Sequence, residues 1–341
     1  MKLSRLGLYA ARFLTVVLCL AAVFSDFLSP VPASMQNLAR VYAPPTGIHL
    51  VDARGTFHWR PFVWGYELVN PLDLVYRERT EERVPLEFFC RGYSYRWLGL
   101  LPMSLHLFGG TDFHPLGTDD LGRDILARLL AGANTSLIVV VTGISIYALI
   151  GLAIGALAGL TGGWVDAALM RFSEFVLALP ALYLILALRA LMPLRLPFWQ
   201  TLLLNVGIIA GVAWPPMARG VRGLIFQLRG AGYVEAARAM GCTPGQILVR
   251  HMLPALPPFV MTQAAVAAPV FLLGEVVLSF LNVGFRDNGE SWGTMLRTLR
   301  DPRVLTDFRW NLAPLVLVFA TLFCLNIVSN RAGLEREPVK L

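Results

Sequence analysis

Apolar residues come in long runs along this chain, and polar residues collect between the runs. Six runs stand out, at about Phe13–Phe27, Ser136–Leu160, Phe172–Met192, Trp199–Met217, Phe259–Val283 and Asn311–Ser329. Stretches near twenty residues with few or no charges are long enough to cross a bilayer as helices. The pattern therefore predicts an all-α polytopic membrane protein with six transmembrane helices. Within the second run, Gly151, Gly155 and Gly159 recur every four residues. One helix face is then bare backbone, which suits close helix packing better than lipid. Pro180 should kink the third span, and Pro215-Pro216 should end the fourth.

The intervening segments predict different elements. Residues 29–116 are polar, aromatic and proline-rich, and form an insert of α+β character. Ile48–Gly55 alternates and then turns, and Thr56–Leu68 is aromatic and β-prone, so a hairpin or small sheet is expected there. Arg77–Glu87 is densely charged and reads as a solvated segment. In 117–133, Leu121, Ile125 and Leu129 recur every four residues opposite Arg123, Asp124 and Arg128. That predicts a helix lying in the membrane interface. Residues 134–331 hold the remaining five spans, interrupted by a polar loop over 222–257.

Within that loop, residues 232–254 are too polar to span and predict two short helices with a sharp joint. Glu235 opens the first helix near the positive end of its dipole. Gly241 suits the left-handed position just past the helix end. Thr243 reads as an N-cap, Pro244 as the first helical residue and Gln246 as the capping-box partner. Pro254 stops the second helix. Small residues at 236, 237 and 239 would let another protein's surface approach closely.

Charge and composition narrow the class. Apolar residues make up 56% of the chain and charged ones 15%, with a net charge of +7. The basic residues sit mainly at the ends of apolar runs, as topology determinants do, and form no aromatic-interleaved stripe for nucleic acid. Counting them places the N-terminus (1–28 with the first span), the 222–257 loop and the 332–341 tail inside, with the bias modest but in the right direction. Lys2, Arg5 and Arg12 precede the first run, which reads as a signal anchor; cleavage near Pro32-Ala33-Ser34 is the alternative. Cys19, Cys90, Cys242 and Cys324 have no metal-ligand spacing and predict no intrachain disulfide. His49, His58, His106 and His114 also lack metal spacing, so neither metal nor other cofactor is expected. Glu174 and Glu275 fall in or near spans, where a charge costs about 2.5–3.5 kcal/mol at the bilayer centre. Glu174 lies near the inner end and reads as interfacial. Glu275 is deeper, and pore-lining and structural readings stand level. No phosphate-binding G-x-x-x-x-G-K-[ST] loop occurs, so the chain itself should not hydrolyse ATP and is not expected to be an enzyme.

Three blocks carry a family resemblance. The first is Glu235, Ala236, Ala237, Gly241, Leu253 and Pro254. It resembles the coupling loop of ATP-binding-cassette (ABC) importer permeases, with Arg250-His251 as in the peptide-transporter branch. The second is Gly117, Thr118, Asp119, Gly122, Arg123 and Asp124. It resembles the block before the second span in dipeptide/oligopeptide/nickel-type permeases, with Ala127 for a usual Ser and Asn134 for a usual Arg. The third, with Glu275, Ser279, Trp292 and Gly293, resembles the fifth span and outer loop of the same branch. There Asn282 replaces a usual Gly, and Arg286–Glu290 replaces a proline-containing turn. At the end of the sixth span Ser329-Asn330 stand where Gly-Asp is common. The resemblance covers about residues 115–330 and leaves the insert unexplained.

The resemblance implies a type I ABC importer permease fold, with the insert on the periplasmic side of a bacterial inner membrane. It implies a homologous second permease subunit, two ATPase subunits and a periplasmic solute-binding protein as partners. The coupling loop would pass ATP-driven movement to the spans, giving alternating access for peptides or related small solutes. The insert is expected to contact the binding protein or the partner permease from outside. The alternative is a secondary transporter or channel working without ATPases, for which Glu174 and Glu275 are the only coupling-site candidates.

Overall fold

The computed structural model of the chain describes residues 5–97, 99–109, 113–193, 195–286 and 289–334. Lys2 and the tail beyond Leu334 lie outside the described residues. The helices before and after the insert follow the apolar runs, with α1 at Arg5–Val23 and a short α2 at Ser25–Leu28. The insert supplies β1 (Ile48–Val51), β2 (Phe57–Asn70), β3 (Val75–Pro85), β4 (Glu87–Trp97) and β5 (Leu101–Gly109). Then come α3 (Ile125–Thr161), α4 (Gly163–Ala178), α5 (Ala181–Ala190), α6 (Phe198–Ala213), α7 (Pro215–Arg229), α8 (Gly232–Ala239) and α9 (Pro244–Ile247). The chain ends with α10 (Pro257–Phe280), α11 (Trp292–Met295), α12 (Pro302–Thr306) and α13 (Ala313–Leu334).

Three stretches among the described residues are long and apolar enough to cross a membrane: Ile125–Thr161, Pro257–Phe280 and Arg309–Ser329. Two bent pairs qualify if each is one span, α4 with α5 at 91° and α6 with α7 at 51°. Proline makes both breaks. Pro180 caps α5 and Pro215 starts α7, and neither has an N–H to continue the preceding helix. Gly7–Val23 is apolar but shorter.

The chain divides into two compact units, each described by itself. One comprises the residues up to Arg12, Ile138–Leu278 and the chain from Leu322. Here the glycine stripe of α3 meets α7. A Cβ at Gly151 would lie 2.3 Å from Met217, one at Gly155 2.4 Å from the Ala218 carbonyl oxygen, and one at Gly159 2.9 Å from Ile225. Met217, Ala218, Val221 and Ile225 are all fully buried. The guanidinium of Arg222 donates to both oxygens of Asp166, closing the α4–α7 contact below this seam.

The other unit comprises Phe13–Leu137 and Ser279–Thr321. Its insert holds an antiparallel three-stranded sheet in the order β1-β2-β3 and a separate β4–β5 hairpin. Val63, Leu86 and Phe113 form a small core, with Val84 and Phe108 packed against it. The described insert residues after α2 form strands and one 3-10 turn, Leu38–Arg40, and no α-helix, so the expected α+β character is corrected to β. Aromatic and alternating residues dominate there, and no 3.6-residue apolar period competes. The charged stretch from Arg77 is solvated but is strand β3. Arg77 lies opposite Glu67, which also reaches Arg79 at 3.5 Å, and Glu78 lies opposite Tyr66. The helix expected over 117–133 is also corrected. Residues 117–124 form a closed turn, and the helix starts only at Ile125 as the beginning of α3. Gly117 and Gly122 take positive φ, and the Asp119 side chain captures two backbone N–H groups of the turn, so a helical path is closed to it.

Candidate functional site

Two places concentrate the motif residues, one in each unit. In the first, α8 runs from Gly232 and presents Tyr233, Glu235, Ala236, Arg238, Ala239 and Met240 outward, while Val234 and Ala237 are buried. Met240, at the end of α8, is 76% exposed. Gly241 follows with φ +84°, so the chain turns left-handed and exits without a Cβ clash. Thr243 then accepts the Gln246 N–H while Gln246 accepts the Thr243 N–H, a complete capping box on α9. Beyond α9 the backbone makes a π turn over Leu248–Met252 and a 3-10 turn over Leu253–Ala255. Leu253 is half-buried and Pro254 exposed. The result is a short, exposed helix on a stiff joint. Thr243→Ala should cost about 1 kcal/mol, as N-cap removals do. Hydrogen exchange should then speed up in α9 while α10 stays protected.

In the second place, the 117–124 turn is a buried ionic cage. Thr118 donates to the Arg40 carbonyl and accepts the Ala43 N–H at 2.8 Å. A Cβ at Gly117 would sit 2.6 Å from the Ala43 carbonyl oxygen, and one at Gly122 1.9 Å from that of Asn37, so both backbones must pass bare. Asp119 accepts the N–H groups of Leu121 and Arg123 at 2.9 and 2.8 Å. Its other oxygen accepts from Arg123 Nε at 2.8 Å and from Arg128 Nη1. Arg128, fully buried, turns its Nε to Glu290 at 2.8 Å. Asp124 caps α3 through the Ala127 N–H at 2.7 Å and holds His114 Nδ1 at 2.9 Å. Burial, and then the neighbouring Asp119 carboxylate, push the Asp120 carboxyl up from its ordinary range. Trp292 donates its indole N–H to the Leu129 carbonyl at 3.0 Å, and Gly132 leaves room for its ring. Gly293 is buried in α11. Ser279 accepts the Phe285 N–H at 3.0 Å.

Two of the residues that depart from the family pattern, Asn282 and Asn134, make local contacts. Asn282 has φ +65°, a conformation that favours glycine and that asparagine tolerates, and its side-chain oxygen accepts from Arg297 at 2.6 Å. Asn134 donates to the Ala22 carbonyl at 2.9 Å. Glu174 pairs with Arg171 at 3.0 Å on an exposed face, while Glu275 is fully buried.

Sequence reasoning missed three pairings: Arg128 with Glu290, Asp166 with Arg222, and Arg189 with Asn205. Arg189 is a buried cation in the third apolar run, donating to Asn205 Oδ1 at 2.8 Å and to the Pro193 carbonyl at 3.1 Å. A charge inside an apolar run was the available signal for it.

Residues 151–333 match the family described as binding-protein-dependent transport system inner membrane component. A Brucella suis biovar 1 protein named as a peptide permease is 34% identical over 230 residues, 66% of this chain and 74% of that one. The oligopeptide transport system permease protein OppC of Haemophilus influenzae is 33% identical, over 64% of this chain and 68% of its own length. The dipeptide transport system permease protein DppC of Bacillus subtilis is 32% identical, over 64% and 66%. A chain of the MetNI methionine ABC transporter, solved in inward-facing conformations, aligns with TM-score 0.46 and 17% identity over 62% of this chain and 97% of that one. With its match spanning more than half of the sequence, the chain belongs to the family of inner membrane components of binding-protein-dependent transport systems.

Proposed function

We propose that the chain is one of two permease subunits of an ABC importer that carries peptides or related small solutes across a bacterial inner membrane. The family supplies the class, and relatives named for peptide, oligopeptide and dipeptide transport support the substrate class. In this reading there are six spans, with α1 the first and the bent pairs counting as one each. Both termini and the 222–257 loop are cytoplasmic, and the insert is periplasmic. A homologous permease and two ATPase subunits complete the assembly, and a periplasmic binding protein delivers substrate. The insert meets the binding protein or the partner permease from outside.

The observation that carries this reading is α8 with its joint. A helix with an exposed small-residue face, stiffened by a left-handed glycine and a capping box, is suited to seat in another protein's groove. Movement of that groove would reach α10 through the turns at 248–255, and packing with two arrangements above would convert it into alternating access. Glu235 and Ala236 form the seat and Gly241 the joint, the buried Ala237 packs α8 from behind rather than facing a partner, and Leu253 and Pro254 lead into α10.

Glu235→Arg should leave the subunit in the membrane but lower uptake about tenfold or more, equivalent to about 1.4 kcal/mol of lost coupling. Gly241→Pro should do the same, because proline cannot take φ +84°. ATPase activity, measured in the same vesicles, should persist. Normal uptake in both variants, or failure of an ATPase subunit to co-purify, overturns the assignment.

A further inference from the structure

The β4–β5 hairpin is fastened to the end of α1 and to α2 by two rows of contacts. In one row His106, fully buried, places Nδ1 2.9 Å from the Asp26 carbonyl oxygen and Nε2 3.0 Å from that of Tyr93. In the other, Trp97 donates its indole N–H to the Val23 carbonyl at 3.1 Å and stacks on Phe24 at 5.6 Å. Across the hairpin His106 lies opposite Cys90, far from the turn, and Leu101 lies opposite Trp97, beside the turn. Moving toward the turn, the contacts thus step back from Asp26 to Val23. The turn end of the hairpin therefore lies at the end of α1, and the opposite end lies at α2.

The chemistry of the turn fits what lies there. Leu100 is 80% exposed and Leu101 55%. α1 also exposes Phe13, Val16 and Leu20, which fall on one helix face. Backbone groups in hydrocarbon must be satisfied internally. Two N–H groups of the turn are so paired: Gly99, at φ +73°, donates to the Arg96 carbonyl and Leu100 to that of Trp97, both at 3.0 Å. Trp97 sits beside Val23 at the end of α1, and tryptophan is a residue that favours the membrane interface. Arg96 is exposed beside it, with a side chain long enough to reach lipid phosphates.

We propose that the turn of the β4–β5 hairpin is seated in the outer leaflet of the bilayer, with Leu100 and Leu101 against acyl chains, Trp97 at headgroup level and Arg96 toward phosphate. The inference rests on α1 being a span with its N-terminus inside, as proposed above. Gly7–Val23 is about 26 Å long, somewhat under the hydrocarbon thickness of about 30 Å. A wedge beside its outer end gives the short span a second anchor and holds the insert at a set height over the membrane.

The test uses the assembled transporter in lipid nanodiscs, with Cys19, Cys90, Cys242 and Cys324 replaced by alanine and uptake retained. Leu100→Cys, Leu20→Cys and Leu72→Cys each receive an environment-sensitive fluorophore. Leu72, in the β2–β3 turn and 88% exposed, serves as the aqueous control. Nitroxide-labelled lipids should quench Leu100→Cys and Leu20→Cys, with blue-shifted emission and protection from iodide, whereas iodide should quench Leu72→Cys. Iodide quenching of Leu100→Cys alongside lipid quenching of Leu20→Cys overturns the hairpin proposal and leaves the span standing. Shielding of Leu100→Cys from both quenchers means that a protein surface covers the turn, which also overturns it. Failure of lipid nitroxides to reach Leu20→Cys removes the span and the proposal together.

Discussion

Asp119→Ala is expected to cost about 3–5 kcal/mol, the range for breaking a buried ion pair from one side. One carboxylate closes the 117–124 turn through two backbone N–H groups and pairs with both Arg123 and Arg128. Its removal leaves the fully buried Arg128 with Glu290 as its remaining carboxylate partner. Asp119→Asn keeps an oxygen for the turn and loses the charge, so it should fall between wild type and alanine. Thermal aggregation of the detergent-solubilised protein, followed by size-exclusion chromatography, ranks the three. An alanine variant as heat-resistant as wild type would show that the cage contributes little to the folded state.

Gly155→Val is the second large effect. The new Cβ would meet a backbone carbonyl oxygen at 2.4 Å and Val221 Cβ at 2.8 Å, and a backbone atom cannot rotate away. Overpacking in a tight core costs about 1–3 kcal/mol when side chains can yield, and more is expected here because α3 and α7 must separate. Gly207→Ala provides the control, since a Cβ there meets nothing within 4 Å. It should change stability by no more than about 0.5 kcal/mol. Expression level and melting temperature of the two variants check the contrast. Equal behaviour would mean that the small-residue face is not a packing seam.

The helical part was legible because lipid imposes a simple demand: long uncharged runs, broken where proline removes a donor. The glycine stripe and the Thr243 capping box could be read for the same reason, since each is a local rule expressed in a few neighbouring residues. The 117–124 segment was misread because its apolar residues recur every four positions, while the deciding groups are polar. Gly117, Gly122 and the Asp119 carboxylate favour a turn locally and override the periodicity. β3 was missed because its charges suggested solvent, and a solvent-facing strand can be charged when its charges find partners, as Arg79 does in Glu67 and Arg83 in Asp52. Arg128 with Glu290 and Asp166 with Arg222 were beyond reach. Each joins distant parts of the chain, and no spacing rule connects them. Asn282 illustrates the converse, since its departure from glycine became intelligible only once its positive φ was known.

The π turn at Leu248–Met252 sets a limit on how this chain can change its length. A π turn carries one residue more than the regular helix would, and arises naturally from a single insertion. Each residue added or removed rotates the flanking helix by about 100°. Within α9 and its π turn, deletion of one residue would therefore turn the residues on either side about a quarter of the way round relative to each other. Homologous subunits exchanged between transporters, or chimaeras designed across this joint, must conserve residue number there more strictly than residue identity.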